Sequence, residues 1–465
     1  MKIVSYMKIK TIALFVVIFI NLFFLHSACA SFTLEDEKRL GKEFYDELQK
    51  KGMLVDNPEL ASYIDKIGYL IAGQGEQYPL DFTFSMIRNS GINAFATPGG
   101  YVYVYTGLIE LAQSEDQLAG VLAHEIAHIK ARHIARAIEK SKKINIASLA
   151  AVLAGVFLGG GEGAAAISSF AMATAATMNL KYSRDHEEEA DRLGMSYLVS
   201  ANYDGKGMLE FLKCMRQYEY YSNSVPSYFL THPGTGDRIS YLTVLLQSRY
   251  DTTGKKELIG GFPRIKTRLA LAKENFRANE IFFSQQLESN PGDVEALYGL
   301  AVSEAKLGKV AESKNHFRKA LEIAPHDYEI LRDFGISYFE AGDIKNAVDF
   351  LRKSYTVKSD DNTTLLYLGR SYEAAGNLRT ALELFRNFEE NNPSDTDIFY
   401  NLAMTYGKLD ILDESHYYFG KYFKAQNKKS SALFHFKTAL DFLAPGSTRA
   451  EEIKKDIESL EEGKS

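Results

Sequence analysis

Two histidines four residues apart flank a glutamate in His124-Glu-Ile-Ala-His128. On a helix, residues i and i+4 share a face, so both imidazoles can reach one metal ion. Glu125 is turned about 100° from His124 and can face water at the metal rather than the ion itself. Those residues are two ligands and a general base, the apparatus of metal-assisted peptide hydrolysis. Imidazole and carboxylate ligands in an open tetrahedral site favour zinc, one ion per chain. The same five residues also fit two surface histidines on an ordinary helix, so the surroundings must decide.

A third ligand is needed. One zinc-peptidase pattern supplies it from a histidine six residues after the second, following a glycine. Ala131 and Ile134 stand at those positions, and His133 is one residue off. The other solution is a carboxylate from a later helix. Asp185-His-Glu-Glu-Glu-Ala-Asp191 opens such a helix. Glu187 and Asp191 are i and i+4 and share a face, whereas Glu188 and Glu189 point elsewhere and read as a solvated charged face.

The elements that must hold these residues follow from hydrophobic period. Ser114 to Lys140 reads as one helix, with Ser114 and Gln117 forming a capping box and Leu118, Val121, Leu122, Ile126 and Ile129 an apolar stripe. Helices are also expected over Leu34–Lys51, Pro58–Ala72 and Tyr182–Ala201. Asp81–Ile87 and Gly100–Tyr105 are strand-like, and Asn89–Gly100 between them is punctuated by Gly and Pro. A loop is expected to carry Thr231-His-Pro-Gly-Thr-Gly-Asp-Arg238. Ile144–Leu158 and Ala164–Met178 are apolar runs around a glycine cluster, each shorter than the ~20 residues a bilayer needs. They read as a buried helical hairpin or as a hairpin making peripheral contact with a membrane or membrane partner through 144–178.

The N-terminus has Lys2, Lys8 and Lys10, an apolar run from Thr11 to Leu25, and Ala28-Cys29-Ala30. That is the layout of a secretory signal peptide at residues 1–30, cleaved after Ala30. An uncleaved anchor and lipidation at Cys29 are the alternatives; His26 stands where a lipidation site wants an aliphatic residue. Removing the segment takes three lysines and no acid, carrying the net charge from −6 to −9. No Lys/Arg stripe suits nucleic acid. Cys214 lies among Leu209, Phe211, Leu212 and Met215 and reads as an inert buried thiol.

A chain of 465 residues exceeds one ordinary core, and Tyr250–Arg264 reads as a domain boundary. Beyond it, Pro291, Pro325, Ser359 and Pro393 recur every 34 residues, as do Gly308, Gly342 and Gly376. In that frame Leu300, Phe334, Leu368 and Leu402 align, as do Phe317, Leu351, Phe385 and Phe419, and Tyr338, Tyr372 and Tyr406. The period and pattern resemble the tetratricopeptide (TPR) helix–turn–helix repeat. Four repeats are expected, at about 294–327, 328–361, 362–395 and 396–429, with a helical pair (Lys266–Ser289) before them and a capping helix (Ser430–Leu443) after. The last fifteen residues are expected to fray. The expected organisation is a mainly α chain: an α+β domain with a small β-sheet at 31–255, then an α-solenoid at 264–445.

His124-Glu-Ile-Ala-His128 with Arg132-His133, Glu187-x-x-Ala-Asp191, Asn93-Ala-Phe-Ala-Thr-Pro-Gly-Gly100, and Thr231-His-Pro to Arg238 together resemble the family that includes HtpX and the CAAX prenyl proteases. The motifs span about Leu34 to Leu246. The signal peptide and C-terminal repeats resemble the BepA-like branch, periplasmic proteases and chaperones of outer-membrane protein quality control. It lacks the transmembrane helices of the integral-membrane members, which argues against prenyl-protein processing. The resemblance implies Glu187 as the third zinc ligand, Glu125 as the general base, and Asp191 as a partner fixing an imidazole. It implies that Asn93, Ala94, Phe95 and Ala96 form an edge strand that pairs with substrate. It also implies that His232 can close over the metal as an extra ligand. His232 and Arg238 are the candidates for stabilising the oxyanion. The expected activity is endoproteolysis of misfolded or misassembled envelope proteins. A TPR groove would bind a protein partner, with outer-membrane assembly machinery as the candidate. A chaperone or assembly scaffold with minor proteolysis is the competing expectation.

Overall fold

The computed structural model describes residues 32–141, 149, 153, 182–222, 226–250, 254–393 and 395–462. The signal segment and nearly all of the 144–178 stretch lie outside them. No helix among the described residues is long and apolar enough to cross a membrane. The chain divides into two compact units, Met1–Leu269 and Ala270–Ser465.

The first unit opens with α1 (Leu34–Lys50), whose N-terminus is closed by a Thr33/Asp36 capping box, and α2 (Pro58–Ala72), capped by Asn57 with Pro58 in the first turn. Three strands follow: β1 (Thr83–Ile87), β2 (Ala94–Thr97) and β3 (Tyr101–Tyr105). β3 is central, parallel to β1 and antiparallel to β2, with Phe95 opposite Tyr103. β2 therefore lies at a sheet edge. A short α3 (Thr106–Leu111) leads to α4 (Glu115–Lys130), in which every residue from Glu115 to Ile129 is buried. A helix apolar or small on all sides belongs in the middle of a core.

α4 is enclosed by α2, α6 (Arg184–Ser200) and α7 (Lys206–Ser222). Two glycines set how closely they approach. A Cβ on Gly120 would stand 2.7 Å from Met208 Cα in α7, and one on Gly194 would stand 2.9 Å from the Ala123 carbonyl oxygen and 3.0 Å from the His124 nitrogen. Gly194 thus lets α6, which carries Glu187 and Asp191, lie directly on the helix that carries the two histidines.

Three local expectations are corrected. Ser114 does not form a capping box: its hydroxyl donates to the Asp116 carboxylate, and Gln117 Oε1 accepts from the Gln113 N–H at 3.0 Å instead. The helix does not run unbroken to Lys140. It ends at Lys130, Arg132 takes a left-handed conformation (φ 53°), and α5 (His133–Ser141) starts anew. Most of Thr231–Arg238 is also helical: α8 (Ser227–Thr231) and α9 (Thr235–Arg249) leave only residues 232–234 between them, turned by Gly234 at φ 85°.

Residues 254–261 stay with the first unit because a buried carboxylate holds them. Glu115 accepts from the N–H groups of Leu258, Ile259 and Gly260 at 2.8–2.9 Å and from the hydroxyls of Tyr63 and Tyr203. The division between units then falls inside α10 (Phe262–Ala272).

In the second unit, α11 (Phe276–Ser289) precedes four helical pairs: α12 (Val294–Lys306) with α13 (Val310–Ile323), α14 (Tyr328–Glu340) with α15 (Ile344–Val357), α16 (Asn362–Ala374) with α17 (Leu378–Asn391), and α18 (Thr396–Lys408) with α19 (Leu412–Ala425). Gly308, Gly342 and Gly376 sit at φ 77–81° in the turn within the first three pairs, which is why glycine recurs there. Phe317, Phe334, Leu351, Leu368, Phe385 and Leu402 form one continuous core. Each repeat buries its apolar face only against its neighbours, so the unit is an α-solenoid. α20 (Lys429–Phe442) and α21 (Thr448–Glu461) close it. Of the last fifteen residues, those described, 451–462, do not fray as expected. Ser447 caps α21, Ala450 and Ile453 are buried, and Asp456 pairs with Lys424 at 2.7 Å.

Candidate metal centre

α4 presents His124 and His128 on one face, and α6 brings Glu187 opposite them. His232, in the turn between α8 and α9, completes the group. The α8 segment is fixed at the start of β2, where the Ile92 carbonyl accepts from the Tyr228 N–H and the Ser227 hydroxyl. Tyr228 then stacks on the His232 ring at 4.2 Å. One ligand atom from each of His124, His128, Glu187 and His232 lies within 4.8 Å of all the others, and all four residues are buried.

The spacing suits a small cation. His124 Nε2 is 2.9 Å from His128 Nε2 and 3.3 Å from His232 Nδ1, and Glu187 oxygens stand 3.5 Å, 3.5 Å and 3.0 Å from His124, His128 and His232. Four ligands held at metal bonds of about 2.0–2.1 Å in a tetrahedron are about 3.3–3.4 Å apart. Glu125, next to the ligands, is fully buried, and neither of its carboxylate oxygens accepts a hydrogen bond; His232 Nε2 lies 3.5 Å from Oε1. Uncompensated carboxylate oxygens at the centre of a domain are costly, and a cation with water among these donors would satisfy them. The residues present therefore fit a metal ion.

Asp191 stands behind His124, accepting from Nδ1 at 2.8 Å and so directing the Nε2 lone pair into the cluster. Arg238 grips Asp191 through Nε and Nη2, both at 2.8 Å, and its Nη1 lies 2.7 Å from Glu187 Oε2 as an ion pair without hydrogen-bond alignment. Tyr241 also donates to Asp191. Arg238, one of the two oxyanion candidates, commits Nε and Nη2 to Asp191, while its Nη1 makes no hydrogen bond.

The electrostatics follow. Burial opposes ionisation of Asp191, but Arg238 and His124 outweigh it and hold the carboxyl well below its usual range. Burial likewise opposes the Glu187 charge, and His232 and Arg238 override it. Glu125 has no such clamp. Burial pushes its carboxyl up, only partly offset by His232 and His124. Burial and the Arg238 cation disfavour protonation of His124, yet Asp191 wins and holds that imidazole up at about 9. His128 is pushed well down by burial and by His124 beside it.

Asn93 to Ala96 lie at the edge of the sheet; β2 is buried along its length and pairs with β3 alone among the described residues. A cavity lined in part by Ala96, Thr97, His128, Ile129 and Tyr182 runs between β2 and α4. Sequence reasoning missed His133, Glu189, Tyr182 and Tyr241. His133 Nδ1 is 2.7 Å from His128 Nδ1, and its Nε2 is 2.9 Å from Glu189, which is thus not merely a solvated charge. The ring of Tyr182 stacks on His128 at 3.7 Å. Cys214 is partly buried and free, and burial raises its thiol pKa, as suits an inert side chain.

Residues 57–245 match peptidase family M48. The chain carries an M48 peptidase domain. Residues 294–327 and 363–395 match tetratricopeptide repeats. Over 215 residues the chain is 35% identical to a beta-barrel assembly-enhancing protease of Vibrio cholerae, covering 46% of this chain and 44% of that protein. It is 30% identical over 216 residues to the beta-barrel assembly-enhancing protease of Escherichia coli, with the same coverage of each. A mitochondrial metalloendopeptidase of Schizosaccharomyces pombe is 30% identical over 211 residues, 44% of this chain and 60% of that one. The aligned region thus spans less than half the length of the two bacterial relatives.

Proposed function

We propose that the chain is an exported, periplasmic zinc metalloendopeptidase that acts on misfolded or misassembled envelope proteins and docks a protein partner through its repeats. The observation that carries the peptidase reading is the convergence of His124, His128, Glu187 and His232 beside an unclamped Glu125. Three imidazoles and one carboxylate are borderline donors that favour zinc over magnesium or calcium. Bound there, zinc would supply Lewis-acid polarisation of the scissile carbonyl and make water more acidic.

The protein's own residues do the rest. Glu125 takes a proton from the attacking water and returns it to the leaving amine, a role that a carboxyl raised by burial suits. Asp191 and Arg238 keep His124 and Glu187 oriented. The β2 edge would pair with an extended substrate backbone once the groups that bury it move aside. His232, already among the donors, would hold the resting enzyme in check until the turn at 232–234 moves. The names of the bacterial relatives support a role in the assembly of β-barrel proteins. They equally allow a chaperone or assembly scaffold in which proteolysis is minor.

Zinc content and casein cleavage by wild type and Glu125→Gln separate the two readings. The variant should keep zinc and lose about 10²-fold or more of its activity. Equal cleavage by both proteins would end the peptidase assignment.

A further inference from the structure

His128 uses its second ring nitrogen. Nδ1 lies 2.7 Å from His133 Nδ1, and His133 Nε2 lies 2.9 Å from Glu189 Oε2. One proton arrangement makes both contacts hydrogen bonds and leaves the His128 Nε2 lone pair facing the other donors. His128 Nδ1–H donates to His133 Nδ1, and His133 Nε2–H donates to Glu189. His133 is 1% exposed and its ring stacks on His186 at 4.4 Å, so its orientation is fixed. The Glu189 side chain is 46% exposed, with Arg136 at 3.7 Å. The series therefore runs from the buried cluster to the surface.

The backbone is shaped for this contact. In an unbroken helix His133 would be five residues beyond His128 and about 140° round from it, out of reach. The left-handed Arg132 breaks the helix and returns His133 to its predecessor. A non-glycine residue there costs about 1 kcal/mol. The Arg132 side chain compensates, reaching Glu37 at 2.6 Å and Glu139 at 3.1 Å.

From this juxtaposition we infer that His133 and Glu189 are positioning residues for His128. They fix its tautomer and ring plane and increase its electron donation to a divalent cation, as Asp191 does directly for His124. The two α4 ligands are thus backed by carboxylates from the same helix, one in contact and one through an intervening imidazole. This rests on the metal-site reading and deepens it.

The test is zinc affinity of the full chain, measured by competition with a chromophoric chelator, with thermal unfolding of the metal-free proteins alongside. His133→Phe removes both hydrogen bonds and should weaken zinc binding about 10–100-fold. His133→Asn keeps an acceptor near the Nδ1 position and should recover part of that loss. Glu189→Gln should also weaken binding, and adding it to His133→Asn should cost nothing further, because the link is already broken. Affinities of all variants within about twofold of wild type, or strictly additive losses, would overturn the relay. Should His133→Phe fail to fold, the exposed Glu189→Gln decides alone. A wild-type protein that binds no zinc would instead overturn the metal-site reading itself.

Discussion

Loss of Arg238 should be costly, because it is a buried cation between two buried carboxylates. It is 3% exposed and faces two buried carboxylates, Asp191 through two 2.8 Å hydrogen bonds and Glu187 at 2.7 Å. Arg238→Met keeps much of the volume and removes the charge. Breaking a buried ion pair by deleting one partner costs about 3–5 kcal/mol, because the other charge is left in a low-dielectric interior. At about 2–4 °C per kcal/mol for a domain of this size, the unfolding midpoint of the metal-free first unit should fall by about 6–20 °C. Zinc should narrow the gap between variant and wild type, since Glu187 then has another counter-charge while Asp191 keeps only His124 and Tyr241. Differential scanning calorimetry of both proteins, with chelator and with zinc, measures all four midpoints. A metal-free shift under about 2 °C, or a gap that zinc leaves unchanged, would refute the view that Arg238 balances the ligand charges.

Other expectations follow from the same geometry. His232→Ala removes one donor and the proposed restraint, so casein cleavage should rise; an unchanged rate would dismiss His232 as a gate. Against burial, Arg238 and His124 hold the Asp191 carboxyl well below its usual range in the folded protein, so its stabilising contribution is full above the ordinary carboxylate range and is lost as pH falls through the folded value. Urea titrations of the metal-free protein should therefore show a steeper acid loss for wild type than for Arg238→Met, and parallel pH profiles would contradict this. Gly194→Ala places a methyl 2.9 Å from the Ala123 carbonyl, which should force α6 off α4, cost about 1–3 kcal/mol and loosen metal retention. Zinc release at the wild-type rate would show that this close approach does not set the site.

What the sequence disclosed depended on whether a feature had a period. The His124/His128 pair and the Glu187/Asp191 pair are one-turn spacings, readable without a structure. The 34-residue repeat was legible from its glycines and aromatics. A further column at Asp293, Asp327, Asp361 and Asp395 belongs to it, since each accepts one or two backbone N–H groups at the start of the first helix of its repeat. The break at Arg132 was not legible. Helix ends of that kind are usually marked by glycine, and here arginine occupies the position because Glu37, some ninety residues earlier, holds its side chain. Missing the break concealed His133 and its link to Glu189. Ser114 had the right type and spacing for a capping box, but the neighbouring Asp116 took its hydroxyl. The two carboxylate partners of Arg238 were not legible either, because only the fold brings Asp191 and Glu187 to it.

Three imidazoles and one carboxylate are proposed to bind one zinc ion in the resting protein. Zinc-edge X-ray absorption on the purified full chain tests it most directly. Only nitrogen and oxygen are expected as zinc neighbours, with scattering from about three imidazoles at bonds of about 2.0–2.1 Å, falling to two in His232→Ala. A sulfur shell, a single imidazole, or the same spectrum from Glu187→Gln and His124→Ala as from wild type would contradict it.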